Sequence, residues 1–285
     1  MSALVGVTGA NGYVGGRILA HLRDRGVEAV ALVRRPEEAS PPARRYALGE
    51  PLEASLLEGI DTVVHAAYDA SARGDGVRAA NVLGSMPLLE ALGARGARLL
   101  LISSLAAFAG ARSLYGQAKL ELEQAVLGRG GAAIRPGLVF GAGASGLFGA
   151  MVSALSRSAF APLPGGGWQR QFVTHDARLA ELVAMMIEER AEPDGPVFAA
   201  HETPTTLRAI AEQIAAASGR SLKVLALPAR TAYLGMRAAE LARVALPFRA
   251  DSLLGLISPI PLDQVAALER SALEFPPLTP ALWDR

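Results

Sequence analysis

The chain of 285 residues contains no cysteine, so disulfides, a thiolate nucleophile and a thiolate metal site are all excluded. It has no excess of either charge: 28 basic against 27 acidic residues leave a formal net charge of +1, with no electrostatic footprint for DNA or RNA. Charged residues make up only 19% and hydrophobic ones 51%, which argues against a disordered binding arm and for a packed core. Long hydrophobic runs are missing too. Residues 99–111 are apolar but too few to span a bilayer as a helix, and the apolar tract from Leu147 is broken by Arg157. The first strand-like residues start at Ala3, directly after Met-Ser, with no basic n-region and signal-peptide core before them. The expectation is a soluble cytoplasmic protein. His21, His175 and His201 show no paired ligand spacing, so no metal site is expected, and His65 reads as a satisfied core histidine.

What is present is alternation. Short β-branched or leucine-rich runs (3–8, 28–33, 61–65, 97–102, 131–135) are separated by stretches of helical period (14–25, 76–93, 113–127). Strands alternating with helices predict an α/β fold of Rossmann type, a doubly wound parallel sheet covered on both faces. After Gly141 glycine, alanine and proline dominate, and then helical stretches follow at 176–189, 206–218 and 230–244. This predicts a dinucleotide-binding domain over 1–140. Residues 141–285 then form mainly a smaller C-terminal lobe, with a segment at about 168–200 returning to the first domain.

The opening "VGVTGANGYVGGRI" sets Gly9, Gly12 and Gly15 between a strand and a helix. Glycine permits the tight turn and a close backbone approach to a pyrophosphate, and the helix N-terminus offers free N–H groups. An acidic residue about twenty positions later would bind a free ribose 2′-hydroxyl. None is there: the second strand ends "LVRRP", with Arg34 and Arg35 supplying donors suited to a 2′-phosphate. That favours NADP(H) and leaves NAD(H) open. Farther on, "ISSLAAFAGARSLYGQAK" runs from an apolar strand through two serines to Tyr115 and Lys119, four apart and therefore on one helix face.

These segments occur in a recognisable order. "TGANGYVG", "DTVVHAA" (61–67), Asn81 in "NVLGS", the serines before "YGQAK", and "RPGLVFG" (135–141) resemble the extended short-chain dehydrogenases/reductases, the NAD-dependent epimerase/dehydratase family. "WQRQFVTHDA" (168–177) and "ALEFPPLTPAL" (272–282) resemble its later motifs, so the likeness covers almost the whole chain. It implies Tyr115 as acid/base, Lys119 on the nicotinamide ribose and favouring the tyrosinate, and Ser104 on the reacting oxygen. It further implies cofactor contacts from Gly9, Asn11, Gly12, Tyr13, Val14, Gly15, Ala66, Ala67, Asn81, Ser103 and Pro136, besides Arg34 and Arg35. Phe108, Phe140 and Arg170 are implied at the substrate. Trp168 and Phe172 are candidates for the pocket wall, though aromatics in such a lobe more often serve packing.

The implied activity is NAD(P)-dependent hydride transfer at a carbonyl or secondary alcohol of a small-molecule or sugar-type substrate. An epimerase with retained cofactor and a non-catalytic NADPH-binding scaffold or sensor are the alternatives; a homodimer through the helices at 76–93 and 113–127 is implied by analogy. Two departures bear on the substrate. Leu105 and Ala106 stand where the family's sugar 4,6-dehydratases carry an acidic pair, and the lobe is short, with scattered arginines (Arg157, Arg170, Arg178, Arg249). A smaller or more apolar carbonyl compound becomes at least as plausible as a nucleotide sugar.

Overall fold

A computed structural model describes residues 4–53, 55–158, 160–242, 244, 249–261, 264–265, 268 and 273–283. Ala3, Arg243 and Ala272, each at or near the end of an expected segment, lie outside the described residues. The first half runs β1 (Leu4–Thr8), α1 (Tyr13–Asp24), β2 (Ala29–Val33), β3 (Ala43–Arg45), β4 (Ile60–His65), α2 (Asp75–Asn81), α3 (Met86–Arg95), β5 (Arg98–Ile102), α4 (Leu114–Leu127) and β6 (Ala132–Pro136). The second half runs β7 (Leu138–Phe140), α5 (Gly146–Leu155), β8 (Phe160–Pro164), β9 (Arg170–Gln171), β10 (Val173–His175), α6 (Asp176–Glu188) and β11 (Val197–Ala199). It ends with β12 (Thr205–Thr206), α7 (Leu207–Ala217), β13 (Lys223–Leu227), α8 (Ala229–Leu241) and α9 (Ala250–Ile257).

Seven strands form one sheet in the order β11-β6-β5-β4-β1-β2-β3, and every neighbouring pair is parallel. Successive strands step one way from β1 through β2 to β3 and the other way from β4 to β6. The reversal lies between β1 and β4, where Thr8 pairs with His65. In such sheets a crevice opens beyond the carboxyl ends at the reversal. Both faces are covered: α1 and α6 pack on one through Ile18, Leu22, Leu179 and Val183, and α3 and α4 on the other through Leu88, Leu92, Leu122 and Val126. This is why β2 and β5 read as continuous apolar runs rather than alternating ones.

The helical stretch expected over 76–93 is divided. α2 stops at Asn81, a 3₁₀ turn spans Leu83–Ser85, and α3 starts with Pro87 in its first turn, where the missing N–H costs nothing. Gly84 fixes the break: a Cβ there would stand 2.9 Å from the backbone nitrogen of Gly49. Strands β3 and β11, one at each edge of the sheet, are too short to have announced themselves in the sequence.

A further core gathers Phe140, Phe148, Met151, Leu163, Ile210, Ile214 and Trp283 from β7, α5, β8, α7 and the C-terminal segment. Short strand pairs (β7–β10, β8–β13, β9–β12) tie these pieces together. No described helix is long and apolar enough to cross a membrane. Among the described residues no cluster of three or more His, Cys, Asp or Glu could hold a metal.

Candidate cofactor and catalytic site

The turn from β1 into α1 leaves no room for side chains. Gly9 has φ +67°, and a Cβ there would lie 2.8 Å from the Cα and N of Ala67. A Cβ on Gly15 would lie 2.4 Å from the Gly9 carbonyl oxygen, and one on Gly12 would lie 3.1 Å from it. The Gly12 N–H donates to the same oxygen at 2.8 Å, closing the turn. α1 begins without a side-chain cap or an acidic residue in its first turn. Its first N–H groups and positive dipole end are thus open to an anion, which is what a dinucleotide pyrophosphate needs.

Beneath the turn, a chain of buried hydrogen bonds fixes the ends of β1 and β4. Thr8 Oγ1 accepts from the Ala66 and Ala67 N–H groups, each at 3.1 Å, so its proton goes to His65 Nδ1 at 2.9 Å. His65 Nε2 then carries the hydrogen and meets Ser85 Oγ at 3.0 Å, and Ser85 donates to the Asn81 carbonyl at 2.8 Å. His65 is fully buried, and burial, with the Lys119 charge adding to it, pushes its pKa down to about 3. It is a neutral structural histidine, as its setting between strand residues suggested.

The strand β5 leads through Ser103 and Ser104 to α4, whose N-cap Ser113 accepts from the Gly116 N–H at 3.1 Å. Two more N–H groups at this helix start find a partner from far along the chain: Asp251 of α9 accepts from Leu114 N at 2.7 Å and Tyr115 N at 3.2 Å. Ser104 Oγ accepts from Ala106 N at 3.1 Å, leaving its own proton for the Tyr115 phenol oxygen. That bond pulls the phenol's pKa down, but burial outweighs it and the net shift is upward. The expected lowering by Lys119 is not what prevails here. Lys119 is buried with its Nζ 2.7 Å from the Ile102 carbonyl oxygen and 5.2 Å from the centre of the Tyr68 ring. Burial lowers its pKa to about 8, opposed by Glu123 one turn on. Two of the three ammonium hydrogens remain available to ribose hydroxyls. Tyr68 packs edge-on against Tyr115 with ring centres 5.1 Å apart.

These elements enclose a cleft of about 610 Å³. Of the residues singled out in the sequence, Gly9, Gly12, Tyr13, Val14, Gly15, Ala66, Ser104, Leu105, Ala106, Phe108, Tyr115, Phe172 and Arg249 line it. The remaining candidates do not. Asn81 is consumed by Asp69, taking its N–H at 2.6 Å and giving to its carbonyl at 3.2 Å, so it holds the loop after β4. Ser103 is buried with its hydroxyl unpartnered, and Pro136 accepts from Leu105 N within the sheet end. Phe140 is wholly buried beside Phe148 and His175. Arg170 is exposed on β9, and its neighbour Gln171 lines the cleft instead. Asn11, Ala67, Arg34, Arg35 and Lys119 also stand off the wall. Trp168 is 65% exposed, its ring covered by the Arg208 guanidinium at 5.1 Å.

Sequence reasoning missed three participants. Tyr68 and Asp251 line the cleft. Asp176, at the first position of α6, accepts from the Tyr13 phenol at 2.7 Å and pairs with Arg17 at 3.0 Å. Asp176 had a local signal, an acid opening a helix in "VTHDARLAEL". Nothing near Asp251 points to residues 114 and 115.

Comparison with known proteins bears on the fold and the family. A ketoreductase of Stigmatella aurantiaca, acting on 4-hydroxy-2-methyl-3-oxo-4-farnesyl-3,4-dihydroquinoline-1-oxide by its name, is 28% identical over 262 residues, 79% of this chain and 76% of its own. Among solved structures, MoeE5 in complex with UDP-glucose and NAD has a TM-score of 0.68 at 22% identity, covering 93% of this chain and 98% of that one. Pal from Bacillus thuringiensis reaches 0.72 at 14% identity, covering 96% and 95%. The sequence pattern of one family matches residues 5–199, from the first strand to the last strand of the central sheet. The chain belongs to the NAD-dependent epimerase/dehydratase family.

Proposed function

We propose that the protein transfers hydride between a nicotinamide dinucleotide and the carbonyl or secondary alcohol carbon of a small molecule, running best as a ketone reductase. The observation that carries this reading is the pairing of Ser104 with Tyr115 on the wall of the cleft that the glycine turn also lines, with Lys119 buried one helical turn beyond Tyr115. The glycine turn and the α1 N-terminus would hold the pyrophosphate, Lys119 the nicotinamide ribose, and bound nicotinamide would supply or take the hydride. Residues 1–140, with the strand and helix returned by 168–200, would form the dinucleotide-binding part.

Within the cleft, Ser104 would orient the substrate oxygen, and Tyr115 would give that oxygen its proton as hydride arrives at carbon. Burial keeps the phenol protonated at neutral pH, the form an acid requires, which favours reduction over oxidation. Leu105 and Ala106 offer no proton at the cleft wall, so a 4,6-dehydration of a sugar has no acid/base pair there.

NADP(H) is the proposed cofactor. Arg34 is exposed at the end of β2 and makes no hydrogen bond or ion pair among the described residues, its charge acting on Asp69 across the crevice. Arg35 is tied to Glu38, so Arg34 is the better partner for a 2′-phosphate. Replacing Tyr115 by Phe tests the catalytic reading. NADP(H) affinity should stay nearly constant while ketone turnover falls about 10²-fold or more, the scale of a positioned acid. Near wild-type turnover by that variant would refute the assignment.

A further inference from the structure

Among the described residues that line the cleft the only charged side chains are Arg249 and Asp251, and their charges are opposite. Asp251 is committed to the N–H groups of Leu114 and Tyr115. Arg249 spends Nη1 on the carbonyls of Ala70 and Ala72, at 2.8 and 2.7 Å. The other three arginines singled out for a sugar diphosphate lie elsewhere: Arg157 bonds Ser153, Arg178 bonds Glu181 and the Glu274 carbonyl, and Arg170 is exposed off the cleft. A diphosphate brought into this space would lose water and gain one partly spent guanidinium beside a carboxylate, a poor exchange for a desolvated anion.

Beside that pair, much of the wall contributed by the second half of the chain is apolar, with Ser145, Gln171, Ser252 and Ser258 as its uncharged polar members. Leu138, Leu147, Phe148, Phe172, Leu256 and Ile260 come from β7, α5, the approach to β10 and the α9 region to line it. We infer that this site takes an uncharged, lipophilic ketone, its carbonyl at Ser104 and Tyr115 and an aliphatic or prenyl-like chain against these six residues, and that nucleotide sugars are not its substrates. The inference rests on the catalytic reading proposed above and adds the substrate class to it.

The test is a homologous series of 2-alkanones with saturating NADPH, alongside UDP-glucose. Each buried methylene contributes about 0.8 kcal/mol, so kcat/KM should climb roughly fourfold per added CH₂ until the cleft is filled. Binding is followed separately by ligand-observed NMR on the NADP⁺ complex, with 2-decanone and UDP as probes. Binding of the ketone without UDP binding supports the inference even if turnover is absent, an outcome that would refute only the catalytic reading. Leu147→Asp should weaken 2-decanone about tenfold or more while NADP⁺ affinity, which reports an intact fold, stays unchanged. The inference is overturned by a flat chain-length series, by UDP binding, by ketone affinity insensitive to Leu147→Asp, or by failure of the ketone to bind. Tyr115-dependent turnover of UDP-glucose would overturn it while leaving the catalytic reading standing.

Discussion

The Lys119 ammonium carries a signature that equilibrium unfolding can read. Its side chain is buried, and its pKa falls from 10.5 to about 8 because burial penalises the charged form. In the unfolded chain the ordinary value returns. Between these two values the unfolded state holds a proton that the folded state has released, so unfolding free energy must rise with pH through that window. With the folded value at about 8, the gain between about pH 7 and about pH 9 is on the order of 1.3 kcal/mol, approaching about 3 kcal/mol beyond the unfolded value. Lys119→Met removes the titration. Its absolute stability also reflects the lost bond to the Ile102 carbonyl, but its slope against pH does not. Urea unfolding of the cofactor-free protein at a set of pH values, taken as wild type minus variant, isolates the term from other groups. A difference that stays flat or falls between pH 7 and 9 would mean that the ammonium is solvated, and the buried hydrogen bond to Ile102 would be wrong.

Two further outcomes follow from the cofactor half. Gly15→Ala pushes a methyl to 2.4 Å from the Gly9 oxygen, so NADP(H) binding should weaken at least about tenfold, read by fluorescence titration, with kcat less affected at saturation. The wild type should prefer NADP(H) roughly tenfold, and Arg34→Asp should reverse the order, since it removes the proposed charge-assisted partner of the phosphate and adds a carboxylate for the free hydroxyl. Equal affinities of the wild type for the two cofactors would refute that role.

The alternation of apolar runs and helical stretches made the parallel sheet legible, because strands buried on both faces cannot hide as polar alternation. The glycine turn was legible for the same local reason: each Cβ that is absent would strike backbone. Tyr115 and Lys119 share a helix face by spacing alone. What stayed hidden is contact across long stretches of chain. Asn81, expected at the cofactor, bonds Asp69, and Phe140, expected at the substrate, packs in a core. Periodicity reports which face of an element is apolar, not which neighbour covers it. For that reason the second half, built from strands of two to five residues, showed α6, α7 and α8 in its sequence but neither α5, α9 nor the sheet pairings.

The reach of Asp251 to the start of α4 has a consequence for recombination between relatives. The helix that bears Tyr115 belongs to the first half by topology, yet two of its opening N–H groups are satisfied by a carboxylate that arrives with α9. A chimera that kept residues 1–140 and took a foreign second half would preserve every glycine of the turn and the three side chains proposed as catalytic. Unless the donor placed an acceptor at the position of Asp251, that chimera would bind cofactor normally and still present its tyrosine from a helix whose first turn is unanchored. Exchange of substrate range in this fold therefore has to carry one residue of the catalytic scaffold along with the lobe.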